Sequence, residues 1–144
     1  LYVIPKPKRL LAGHGGNTGG QTVGTVLSAL SSGAVRLPDA PRVISKEALS
    51  GLTAGTLLGL AVGTIAHVVM GISLPVSMVV LMTIPVVSTI AATLGSSIPF
   101  ACVFLGLDPS VIAAPAMTSF VDVCGLLSYF LIANQVFAQF GIAL

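Results

Sequence analysis

Asp122 is the only formal charge between Pro109 and the C-terminus, and it stands inside the apolar run APAMTSFVDVCGLLSYFLIA. That run reads as a membrane-spanning helix, where an ionised carboxylate costs on the order of 3 to more than 10 kcal/mol. Carboxylates kept at such depth face a cavity, an ion path or a partner. Asp108-Pro109 supplies a helix start, with Asp108 as N-cap and Pro109 at the first helical position. At about 1.5 Å per residue, Asp122 then lies about 20 Å along the axis, well inside a hydrocarbon layer of about 30 Å. The chemistry this predicts is an intramembrane cation or proton site.

On the same helix, Ala114, Thr118, Asp122, Gly125 and Tyr129 fall at offsets −8, −4, 0, +3 and +7 and are expected to share one small, polar face. Small neighbours let a bulky, partly hydrated ion approach the backbone. Mg²⁺ suits such a face, because it sheds water reluctantly and binds through few carboxylates plus retained waters. The alternative is a structural Asp bonded to a neighbouring helix.

GHGGNTGGQT at 13–22 is the second cluster. Its glycines are costly in a continuous helix, so irregular backbone is expected here. Asn17, Thr18 and Gln21 offer oxygen ligands, and carbonyls freed by such backbone would line a cation path. The cluster is not a phosphate loop, since no Gly-Lys-Ser/Thr follows. His14 adjoins it and reads equally as a packed or a functional residue. His67 falls near a helix end and reads as an interfacial or packed side chain, with a proton relay as the alternative. Asp39, Glu47 and Asp108 read as loop and cap residues. There is no Ser-His-Asp grouping and no nucleotide motif, so an enzyme is not expected.

The elements that must position these residues follow from composition. The chain of 144 residues is 55% hydrophobic and 7% charged, against roughly 25% charged in a soluble domain. No Lys, Arg, Asp or Glu occurs from Ala48 to Leu107. An all-α, multi-pass integral membrane protein with about four transmembrane helices is predicted. Residues 10–32 form a weak span of small residues, 33–47 a polar loop, and 48–70 a helix. After a turn at 71–74, residues 75–105 form an apolar run too long for the membrane core unless tilted or kinked. Pro85 and Pro99 supply kinks, with GSSIP at 95–99 the expected break. The last segment runs from Pro109 to about Phe140.

Gly51, Gly55, Gly59 and Gly63 sit four apart, as do Gly16, Gly20, Gly24 and Ser28. Such stripes let helix backbones approach closely. The later stripe reads as helix packing, and the first, with polar neighbours, as a thin wall beside a pore.

All six basic residues lie in the first third, the distribution of membrane flanks and not of a nucleic-acid surface. Residues 1–9 read as a basic flank that touches lipid, and 10–144 as one membrane domain. Arg36, Arg42 and Lys46 place loop 33–47 in the cytoplasm. Cys102 and Cys124 read as free thiols without zinc spacing. The opening residues resemble no signal peptide and read as the tail of a longer chain.

The two clusters together resemble the membrane domain of the MgtE family of magnesium channels and transporters, including eukaryotic solute-carrier relatives. The matching stretches are GHGGNTGGQT at 13–22, RVISKEALSGLTAGTLLGL at 42–60, GLDPS at 106–110 and APAMTSFVDVCGLLSYF at 114–130. The resemblance implies a homodimer of five-helix protomers, with the family's first helix and cytoplasmic sensor domains not matched here. It implies that Asp122 binds hydrated Mg²⁺ as the transported ion, helped by carbonyls near Ala114, Thr118 and Gly125 and by groups near Gly13, Gly16 and Gly20. The chain departs from the family at Gly20 and Ala114, where Asn is frequent. The function expected is divalent-cation transport through a dimer-interface path. Alternatives are a Na⁺- or H⁺-coupled Mg²⁺ exchanger and a non-transporting, glycine-packed membrane subunit.

Overall fold

Proline stands at or next to the first position of every long helix, where its missing N–H removes no intrahelical bond. The computed structural model describes residues 7–142, which form helices α1 (Pro7–Ser31), α2 (Ala40–Val68), α3 (Leu74–Phe104) and α4 (Pro109–Gln139). A 3₁₀ turn, Leu37–Asp39, leads into α2, and no strand occurs among the described residues. The start of the basic flank assigned to 1–9 lies outside them.

The turn between α3 and α4 shows how local chemistry sets the boundaries. Gly106 adopts φ 68°, which an L side chain would resist. Its N–H reaches Val103 O at 3.1 Å and that of Leu107 reaches Cys102 O at 2.8 Å, closing α3 as a Schellman motif. Asp108 then caps α4, its Oδ1 accepting from Ser110 N at 2.8 Å. Asp108→Ala is expected to lower stability by about 1 kcal/mol, measured by reversible unfolding in mixed micelles.

Three local expectations are corrected. Helix α2 begins at Ala40 instead of 48, so Arg42, Lys46 and Glu47 ride on its first turns. Polar residues are not helix breakers, and Pro41 near the helix start favours the helix. Helix α3 runs unbroken through Pro85, GSSIP and Pro99 for 31 residues. Each proline removes one bond, while neighbours on several sides hold the rest. Likewise GHGGNTGGQT is continuous α-helix, so its carbonyls remain in the helical ladder. The propensity cost of about 1 kcal/mol per glycine is offset at Gly15 and Gly19, where the missing side chains let α3 and α4 come close.

All three other helices pack on α3. On one side lies the α2 stripe of Gly51, Gly55, Gly59 and Gly63, all buried. A Cβ at Gly55 would sit 2.6 Å from Ser88 Oγ and 2.9 Å from Pro85 Cα, and one at Gly51 2.7 Å from Ala92 Cβ. The stripe is therefore intramolecular packing, as its spacing predicted. On the other side, Val23, Ala91, Ala113, Met117 and Val121 form a core shared by α1, α3 and α4. Three buried hydroxyls on α3 are satisfied within the helix, Thr83 donating to Val79 O, Ser88 to Ile84 O and Ser96 to Ala92 O. The buried Ser77 Oγ meets no partner among the described residues.

The outward faces carry Leu52, Leu57, Leu60 and Val68 on α2 and Val111, Phe120, Val123 and Leu127 on α4. Leu37–Val68, Leu74–Phe104 and Pro109–Gln139 are each long and apolar enough to cross a membrane. Helix α1 is long, but its small and polar residues keep it below that standard, in line with the weak span expected. The protein is an all-α, multi-pass integral membrane protein.

Candidate functional site

Asp122 is positioned by the residue before it. Val121 is buried in the α1–α3–α4 core, and so is Met117 one turn earlier. Both meet glycines of α1. A Cβ at Gly15 would lie 2.8 Å from Val121 Cγ1, and one at Gly19 would strike Met117. Because α1 advances while α4 retreats, the two helices are antiparallel at this seam. A right-handed helix turns about 100° per residue, and for antiparallel partners the next residue on each helix swings to the same side. Gly16 and Gly20 of α1 therefore share one side of the seam with Thr118 and Asp122 of α4.

That side is open. Ala114, Thr118 and Asp122 are exposed, Gly20 is exposed and Gly16 half-buried. A Cβ at Gly13, Gly16, Gly20 or Gly24 would meet nothing within 4 Å. The contrast with α2 is direct: the later glycine stripe is filled by α3, and the first stripe is left uncovered. Gly13 and Asn17 are also exposed, but lie farther round α1, roughly 160° from Gly15 on either hand.

The α4 residues predicted to share a face divide here. A Cβ at Gly125 would lie 3.7 Å from both methyls of Val87 on α3. Tyr129 is half-buried against Val80 and Ile84. Both turn toward α3, leaving Ala114, Thr118 and Asp122 on the outer side. Seven-residue spacing keeps positions near one azimuth, and α3 takes the inner edge of that face.

Thr118 Oγ1 donates to Ala114 O at 3.0 Å, so its lone pairs remain to accept from a ligand's water. Pro115, inside α4 and exposed, has no N–H to give to Val111 O four residues earlier. On the helical wheel both residues lie within about 20° of Asp122. This oxygen was missed in the sequence reading, although a proline four residues beyond it in a helix was the available signal.

The histidines take packing roles. Ser88 donates its hydroxyl to Ile84 O, so His14 Nε2–H donates to Ser88 Oγ at 2.7 Å and ties α1 to α3. His67 Nδ1 donates to Ile72 O at 2.9 Å just beyond the end of α2. Among the described residues no three His, Cys, Asp or Glu side chains gather as a metal cluster. A cation at Asp122 would meet a single carboxylate from this chain, with neutral oxygens and water completing its shell. Cys102 is buried and Cys124 half-buried, both free thiols.

Comparison with known proteins bears on this arrangement. The model of the MgtE family, described as a divalent cation transporter, matches residues 9–132. The magnesium transporter MgtE of Thermus thermophilus is 36% identical over 126 residues, covering 87% of this chain and 27% of that protein. Its namesake from Enterococcus faecalis is 31% identical over 131 residues, covering 91% of this chain and 29% of that protein. The chain thus spans under a third of the length of these curated relatives.

Proposed function

The chain belongs to the MgtE family of divalent cation transporters, and on that footing we propose that it carries Mg²⁺ across the membrane along the open side of the α1–α4 seam. Asp122 is the intramembrane ion site. The observation that carries this reading is a lone, exposed carboxylate beside a glycine stripe that no described residue covers. Facing lipid, that carboxylate would be costly; facing a hydrated cation, it is neutralised.

The path is completed by a second copy of the chain across the open side. Two Asp122 carboxylates brought together would repel each other unless a cation sat between them, which favours a divalent ion. Mg²⁺ keeps several of its waters. Those waters donate to Asp122 and to Thr118 Oγ1 one turn before it. The Val111 carbonyl that Pro115 leaves without its usual donor lies on the same azimuth about 16 Å nearer the start of α4, where it would meet the ion at another point of the path. Glycine at 16 and 20 and alanine at 114 give the hydrated ion room instead of side-chain ligands. Arg36, Arg42 and Lys46 mark the cytoplasmic end, so α4 begins inside and ends outside.

Purified protein in liposomes loaded with a Mg²⁺-sensitive dye tests the reading. Uptake is expected down a Mg²⁺ gradient alone, with no Na⁺ or pH gradient imposed. Uptake that requires one of those gradients would replace a channel by an exchanger. No uptake under any condition would remove the assignment.

A further inference from the structure

The other flank of α1 carries a polar cleft that the seam does not use. It measures about 290 Å³ and opens between α1 and α2 above Ala92 of α3, with Thr18, Gln21 and Thr25 on one wall and Glu47 and Ser50 on the other. These α1 residues lie about 140–180° round the helix from Gly16, so the cleft and the Asp122 side are separate. Its volume accommodates a cation with several waters.

The chemistry of the walls has one sign. Thr25 Oγ1 donates to Gln21 O at 3.0 Å, which spends its proton on the helix and leaves lone pairs free. Glu47 is half-buried and makes no ion pair among the described residues. Its basic neighbours Arg42 and Lys46 are exposed and do not line the cleft. Every other polar group there is neutral. A carboxylate in a recess of hydroxyl and amide oxygens, set in a protein whose outer faces are apolar, attracts a hard cation with its water. Glu47 falls in the segment expected as a loop, and the early start of α2 at Ala40 is what places it on the wall.

We propose that this cleft is a second cation site, holding a hydrated divalent ion through Glu47 near the cytoplasmic end of the protein. The ionic species rests on the transport reading above, but the site can be tested apart from transport. The probe is Mn²⁺, followed by electron paramagnetic resonance on the full chain in detergent, with a nitroxide attached at Ala54→Cys on the cleft wall after Cys102→Ala and Cys124→Ala have removed the native thiols. Mn²⁺ should broaden that label in the otherwise unchanged protein and equally in Asp122→Asn. In Glu47→Gln the broadening should require about tenfold more Mn²⁺ or be lost, while Mn²⁺ bound at Asp122 persists. An unchanged melting temperature of Glu47→Gln shows that the site, not the fold, was removed. A label that Mn²⁺ leaves sharp before any change at Glu47, or one broadened equally in Glu47→Gln, overturns the proposal. Wild-type Mg²⁺ flux in Asp122→Asn would sink the transport path and leave this site standing.

Discussion

Asp122→Asn should abolish divalent flux while the protein still folds and assembles. The amide matches the carboxylate in size, and no hydrogen bond ties the Asp122 side chain to another described residue. A surface change of this kind moves stability by about 0.5 kcal/mol or less. The effect on the ion is far larger. At an effective dielectric constant of about 20, a unit charge about 5 Å from a divalent ion is worth about 7 kcal/mol before screening. Loss of half of that corresponds to more than about 100-fold in affinity, and flux in proteoliposomes should fall by at least that factor. Asp122→Glu should be intermediate, because the charge remains but the longer side chain narrows a passage sized for a hydrated ion. A folded Asn variant carrying Mg²⁺ at the wild-type rate would end the transport assignment and favour the structural reading of Asp122.

The second large effect separates the two glycine stripes. Gly55→Leu should fail to give folded protein, because a Cβ there already collides with Ser88 Oγ and Pro85 backbone. Ser88 is also the acceptor for His14, so the disturbance reaches the α1–α3 contact. Overpacking of this kind typically costs about 1–3 kcal/mol, and against backbone the upper end is expected. Gly16→Leu meets nothing within 4 Å, so the protomer should fold normally. Its side chain would instead project into the open side of the seam, lowering flux per folded protein by about tenfold or more. Gel-filtration yield and flux normalised to folded protein read the two effects separately. Equal losses per folded molecule would show that the stripes do not differ as described.

Much of this was legible in the residues themselves. The depth of Asp122 follows from Asp108-Pro109 and the rise of a helix, and the Asp108 cap is found where that pair placed it. Glycines four apart on α2 had to share a face, and that face is packed. The absence of charge from Ala48 to Leu107 already required a membrane. These features depend only on local geometry and on the cost of burying charge.

What sequence spacing could not supply is azimuth. Period alone says that Gly15 and Gly19 share a face, and that Gly16 and Gly20 share another; it does not say which one meets α4. Val121 and Met117 decide that, and with it they set Asp122 and Thr118 on the open side. The same reason parts Gly125 and Tyr129 from Asp122, since α3 occupies the inner edge of their shared face. Propensity argued for a broken backbone at GHGGNTGGQT and at GSSIP, yet both are helical. There the missing side chains, a local cost, become a tertiary gain once a neighbouring helix can come close. The cleft beside Glu47 exists only because α1 and α2 both lean on α3 and leave space between them. Contacts between segments distant in the chain made each of these choices, and only the tertiary structure contains them.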